Sequence, residues 1–142
     1  MIRTLIVDDE ALARGLVREY LQTHDDIEIV AECDNGFDAV KTITELRPDL
    51  IFLDIQMPRL SGLEVLELTQ RDHGVIFTTA YDQHALKAFD LRAVDYLLKP
   101  FAQARFDEAL MRARALLGQA STGVRALAAQ PVGKLERLLV RE

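Results

Sequence analysis

The chain has 142 residues, 49% of them apolar and 28% charged, which suits one globular domain able to bury a real core. Its net charge of −6 argues against a surface that grips a phosphate backbone, and the charge is uneven: residues 119–142 hold four basic against two acidic side chains, leaving −8 for residues 1–118. No apolar run approaches the ~20 residues of a membrane span, the N-terminus enters a strand pattern rather than a signal peptide, and the lone Cys33 can close no internal disulfide, so a cytoplasmic location without membrane attachment is expected.

Residues 4–7 form a short β-branched run that ends in Asp8, Asp9 and Glu10. Leu12, Leu16, Val17, Tyr20 and Leu21 then recur at helical spacing, so the acids sit at the turn between a strand and an amphipathic helix. Residues 27–31 are a second strand, and Phe37, Val40, Ile43 and Leu46 can share one face of the helix that Pro48 stops. Residues 50–53 are four consecutive apolar side chains, the mark of a strand buried on both faces, and they deliver Asp54 to the strand's end. A short helix through Leu63 and Leu66 follows, then a fourth strand at 75–78 and a helix capped by Asp82. The fifth strand, 94–98, runs into Lys99 and Pro100, and Phe106, Leu110, Ala113 and Leu117 mark a last amphipathic helix that Gly118 can end. Strands alternating with helices predict an α/β fold, a doubly wound five-stranded parallel sheet with helices on both faces. Residues 119–133 lack a sustained period and read as a linker; Leu135, Leu138, Leu139 and Val140 open a new apolar segment.

In such a sheet the ends of strands one, three, four and five meet at one edge, where open α/β sheets place their ligands. That edge collects Asp8 and Asp9, Asp54, Thr79 and Lys99. Three carboxylates crowded together repel one another, and a hard cation explains their coexistence; Mg²⁺ suits one or two carboxylates and completes its shell with water or phosphate oxygens. A lysine can pair with Asp54 at rest and with a phosphoryl oxygen afterwards, and a threonine hydroxyl can donate to a second oxygen. Asp54 then becomes a nucleophile able to form an aspartyl phosphate. Each residue alone has a plainer reading: a helix cap for the acids, a solvated loop for the lysine, a turn for the threonine. Their occurrence together at four strand ends favours the site.

The residues resemble the response-regulator receiver domains of two-component signalling, over residues 1–118: the pair Asp8 and Asp9, the run from Asp54 to Pro58 with Gly62 downstream, Thr79 before Ala80, and Lys99 before Pro100. The resemblance implies a flavodoxin-like sheet of order 2-1-3-4-5. It makes Asp54 the phosphoacceptor, Asp9 and Asp54 direct Mg²⁺ ligands, Asp8 a ligand mostly through water and the Gln56 carbonyl a further ligand. Tyr96 takes the place of an aromatic switch coupled to Thr79, and the Lys99–Pro100 bond that of a cis peptide. A sensor histidine kinase would be the phosphoryl donor and a homodimer the phosphorylated form, with Ala85, Leu86, Phe89 and Leu91 as apolar contacts. The chain would not be an enzyme in its own right, although it would assist its own phosphorylation and dephosphorylation.

Residues 77–82, 93–101 and 135–142 further resemble regulators of the LytTR type, in which a receiver precedes a β-rich DNA-binding domain. On that resemblance residues 1–118 are the receiver, 119–133 the linker and 134–142 the start of a truncated LytTR-type domain, with DNA reached only through the missing part. The alternative is a stand-alone receiver acting by protein contact. A haloacid-dehalogenase-like phosphatase would need a second acid where Gln56 stands, and a nucleotide-binding module would need a Gly-rich loop after the first strand. His24, His73 and His84 share no ligand spacing and read as surface residues.

Overall fold

Alternation of side chains along a strand decides the architecture, because successive residues must face opposite sides of a sheet. In β1 (Ile2–Val7) and β3 (Leu50–Asp54), Leu5, Val7, Ile51 and Leu53 enter one core, while Ile6, Leu50 and Phe52 enter the other. With apolar residues on both faces, neither strand could lie at a solvent-facing surface. The computed structural model describes residues 1–80 and 93–128, with residues 119–128 described as helical backbone only.

The five strands, completed by β2 (Ile27–Cys33), β4 (Val75–Thr79) and β5 (Asp95–Leu98), form one parallel sheet of order β2-β1-β3-β4-β5, as expected. Helices α2 (Gly36–Leu46) and α3 (Gly62–Thr69) cover one face through Ala39, Ile43 and Val65. Helices α1 (Ala11–Leu21) and α4 (Gln103–Ala128) cover the other through Val17, Leu21, Phe106, Leu110 and Ala113. Phe52 stacks on Phe106 with ring centroids 5.0 Å apart; burying a side chain of this size stabilises by roughly 1.5–3 kcal/mol.

Local chemistry sets the helix ends. The Asn35 side chain accepts from the Asp38 N–H at the start of α2, and Ser61 and Glu64 form a reciprocal capping box at the start of α3. Gly62 is required there by packing, since a Cβ would lie 2.3 Å from the Asp54 carbonyl oxygen. Helix α3 therefore docks directly on the backbone of the residue that ends the central strand.

Two expectations need correction. Leu12 is 90% exposed and Phe37 59%, so the inward faces of α1 and α2 are built around Val17 and Leu21 and around Ala39 and Ile43 instead. Apolar spacing alone could not distinguish these stripes, because more than one set of positions in each helix recurs at helical spacing. The last helix does not end at Gly118 but continues to Ala128, so 119–128 is helical rather than irregular. A helical glycine costs only about 1 kcal/mol relative to alanine, so neither Gly118 nor Gly123 need end the helix. The predicted helix after Asp82, with Ala85, Leu86, Phe89 and Leu91, and the segment 135–142 lie outside the described residues. Among the described residues no helix is long and apolar enough to cross a membrane.

Candidate functional site

Parallel register assembles the site. Val7 lies beside Leu53, Asp54 beside Thr78, and Thr79 beside Leu98, so the residues that end or follow β1, β3, β4 and β5 emerge at one edge. There the carboxylate oxygens of Asp8, Asp9 and Asp54 come within 4.8 Å of one another. The sequence-predicted trio is thus brought together by the pairing of β1 with β3, which no local signal specifies.

Asp8 is buried and held from every side. Its N–H donates to the Cys33 carbonyl at 3.1 Å, its Oδ1 accepts from the Glu10 N–H at 3.0 Å, and its Oδ2 accepts from Lys99 Nζ at 2.9 Å. Asp54, also buried, accepts from the Gln56 N–H at 3.2 Å on Oδ1 and faces Lys99 Nζ at 3.7 Å with Oδ2. Asp9 is exposed and reaches the group from the solvent side. Lys99 is anchored by its own backbone, whose N–H donates to the Thr79 carbonyl at 2.7 Å, and the Lys99–Pro100 peptide is cis, as the resemblance implies. Lys99 pairs with Asp54 at 3.7 Å, as expected, but its shortest bond is to Asp8 at 2.9 Å, with Glu10 at 3.6 Å. One ammonium facing three acids makes its short hydrogen bond to Asp8, one of the two buried ones.

The electrostatics are unbalanced toward negative charge. Burial, and then the charge of Asp8, push the Asp54 carboxyl up to about 7; Lys99 and the Gln56 N–H pull it down without prevailing. Burial works against the Lys99 ammonium, but its hydrogen bond to Asp8 and the charges of Asp54, Asp8 and Glu10 leave its affinity for the proton above the ordinary lysine value. A carboxyl forced upward in this way is a site short of positive charge. Hard oxygen donors packed this closely fit a small divalent cation, with Asp9 and Asp54 flanking a cleft of about 520 Å³ whose walls include Gln56, Met57 and Lys99.

Thr79 is fully buried at the end of β4, and its neighbour Ala80 reaches the cleft wall. Tyr96 is half-buried, its ring stacked on Phe77 with centroids 5.7 Å apart, and its carbonyl accepts from Arg105 at 3.1 Å. Sequence reasoning missed Arg14, whose guanidinium reaches the Asp8 carbonyl at 2.8 Å. The only available signal was a basic residue one turn into the helix that follows the acids. It also misplaced His24, which is largely buried and bonded to Asp107 at 2.8 Å and Arg114 at 2.9 Å. A second cleft, of about 450 Å³ at the opposite edge of the sheet, gathers no comparable group of acids among the described residues, and the Arg71 guanidinium beside it is bonded to the carbonyls of His73 and Asp49.

A five-stranded parallel sheet of this order with a carboxylate cluster at its edge is the arrangement of a receiver domain, and residues 4–111 match the family model described as "Response regulator receiver domain". The chain belongs to that family. It is similar to the transcriptional regulatory protein BtsR of Escherichia coli (strain K12), with 51% identity over 116 residues, 80% of this chain and 48% of that protein. An uncharacterized response regulatory protein of Shewanella oneidensis is 47% identical over 116 residues, covering 80% of this chain and 49% of the relative. The chain thus spans about half the length of the curated relatives it matches. Among solved structures, the response regulatory domain of protein mrkE from Klebsiella pneumoniae aligns with a TM-score of 0.73 and 36% identity, over 83% of this chain and 99% of that one. The REC domain of AraT, a response regulator from Geobacillus stearothermophilus, aligns with a TM-score of 0.73 and 33% identity, over 84% and 98%.

Proposed function

We propose that this receiver is a phosphorylation-dependent switch in which Asp54 accepts a phosphoryl group from a phosphohistidine on a sensor kinase. The observation that carries the reading is a buried carboxylate at the end of the central strand, crowded by two more acids and faced by one lysine at 3.7 Å. Asp54 Oδ2 attacks phosphorus, the P–N bond breaks with its electron pair passing to the imidazole nitrogen, and a P–O bond to Asp54 forms. Asp9 and Asp54 would hold Mg²⁺, with the Gln56 carbonyl as a further ligand and Asp8 acting mostly through water. Mg²⁺ supplies positive charge that offsets the carboxylates and the transferring phosphoryl oxygens.

The protein's own residues do the rest. Lys99 exchanges its bond to Asp8 for one to a phosphoryl oxygen, and Thr79 donates to another. The added group carries roughly two negative charges, enough to bias an equilibrium between two arrangements of Thr79 and Tyr96. Because Lys99 directly follows β5 and Tyr96 lies within it, a shift at the site is felt along this strand. We read the output as homodimerisation and transcriptional control through a LytTR-type domain downstream, in a cytoplasmic protein that is not otherwise an enzyme. Similarity to a transcriptional regulator supports that output, and the matched relatives' greater length leaves room for the DNA-binding part.

The test is incubation with Mg²⁺ and acetyl phosphate, or a beryllofluoride analogue, for wild type and Asp54→Asn. Wild type should gain an acid-labile phosphoryl group and a change in self-association, and the variant neither. Wild type that gains neither sinks the switch, and equal labelling of the variant moves the acceptor elsewhere.

A further inference from the structure

Arg14 lies in the first turns of α1, where a cation is electrostatically out of place, because helix N-termini favour negative charge. It is also a positive charge beside a site proposed to hold a metal cation. Something must hold it there. Helical side chains lean toward their own N-terminus, and Arg14 Nη1 uses this lean to donate to the Asp8 carbonyl at 2.8 Å. Its Nε lies 3.6 Å from Glu32 Oε1 on β2, and Glu32 is in turn clamped by Arg18 through bonds of 2.7 and 2.8 Å. The Arg14 side chain is only 19% exposed, against 45% for Arg18, so it is a partly buried strut rather than a solvated surface charge.

The consequence falls on Asp8. Its N–H, Oδ1 and Oδ2 are held by Cys33, Glu10 and Lys99, and the Arg14 bond closes the fourth and last polar position, the carbonyl. That carbonyl belongs to the peptide joining Asp8 to Asp9, so its orientation sets where both carboxylates start from. We infer that Arg14, steadied by Glu32, is a positioning residue for the acidic pair, fixing the Asp8–Asp9 peptide so that the carboxylates converge on a divalent cation. The inference rests on the reading of the acid cluster as a metal site.

Charge and position predict opposite signs, which makes the idea testable. If Arg14 acted only through its charge, removing it would strengthen Mg²⁺ binding, since a repulsive cation is gone. If it positions the acids, removing it weakens binding, by about tenfold on the scale typical of groups that orient metal ligands. The measurement is an NMR titration of MgCl₂ followed on the amides of Asp8, Asp9 and Asp54, for wild type, Arg14→Gln, Arg14→Lys and Arg18→Gln. Arg14→Gln should weaken binding about tenfold and shift the Asp9 amide even before metal is added, because the hydrogen bond polarising its peptide is lost. Arg14→Lys keeps the charge but loses the two-armed reach to Asp8 and Glu32, and it should weaken binding less. Arg18→Gln removes a charge from the same helix without touching Asp8 and should leave the affinity within about twofold, as expected of an exposed, screened charge.

Unchanged or tighter binding in Arg14→Gln overturns the positioning role. Should that variant not fold, Arg14→Lys decides: an affinity equal to wild type overturns the role as well. A wild-type chain whose site amides show no saturable shift would instead overturn the metal-site reading, and the inference with it.

Discussion

Asp54 and Asp95 are two aspartates with nearly the same burial, 4% and 6% exposed, at opposite ends of parallel strands. Their carboxyls are driven in opposite directions. Burial penalises the charge of each, but Asp95 receives Arg105 through two bonds of 2.8 and 2.9 Å and Arg112 at 2.7 Å, and these guanidiniums, with the Tyr96 N–H, hold it below the usual carboxylate range. Among the described residues Asp54 has one lysine, shared with Asp8 and Glu10, and is pushed up to about 7. Depth is therefore not what separates a functional acid from a structural one here. The ratio of cations to carboxylates does: Asp95 is a finished clamp between β5 and α4, whereas Asp54 is left in need of positive charge.

The comparison can be broken most completely by labelling. Asp54→Asn should abolish incorporation of an acid-labile phosphoryl group, and Asp95→Asn should retain it; loss in both would mean that Asp95 shares the chemistry rather than only the scaffold. Stability should divide them the other way. Asp95→Asn should cost about 1–3 kcal/mol in urea unfolding at pH 7, less than for a fully buried pair because Arg105 and Arg112 are partly solvated. Asp54→Asn should stabilise the metal-free protein at that pH by roughly 1–3 kcal/mol, since it removes a carboxylate the fold disfavours in its charged form.

The pH dependence of these two gaps sharpens the contrast. Asp54 has a raised folded pKa, so its favourable contribution is complete below the ordinary carboxylate value of about 4 and is lost as pH rises toward about 7. The advantage of Asp54→Asn should accordingly open across that window. Asp95 has a lowered folded pKa, so its contribution is present above about 4 and disappears as pH falls through the depressed value. The deficit of Asp95→Asn should therefore close on acidification. Parallel curves for the two variants would contradict the opposite shifts.

Smaller effects test the surroundings. Gly62→Ala places a methyl against the Asp54 carbonyl and should cost about 1–3 kcal/mol, with amide shifts at Asp54. Arg18→Gln removes an exposed partner of Glu32 and should leave the unfolding midpoint unchanged; a measurable drop would mark the Arg18–Glu32 pair as structural.

Much of this was legible in the chain. Four apolar residues in a row before Asp54 specify a strand covered on both sides, and acids, threonine and lysine at strand ends specify a shared edge once the sheet is parallel. Less legible was which acid Lys99 would choose, because the choice among Asp8, Asp54 and Glu10 depends on differences of less than 1 Å between side chains brought from distant parts of the chain. Arg14 was missed and His24 misread for the same reason, their partners being a backbone carbonyl across a turn and side chains on the last helix.

The sequence by itself determined the alternation of strands and helices, the two-faced burial of the central strand and the identities of Asp8, Asp9, Asp54, Thr79 and Lys99, since periodicity and residue chemistry are local properties. Only the tertiary structure decided the charge balance. Repulsion among the carboxylates, the protonation of Asp54 and the support of Asp8 by Arg14 arise from distances between residues up to 91 positions apart, and electrostatic energy depends on those distances and on burial, not on order along the chain.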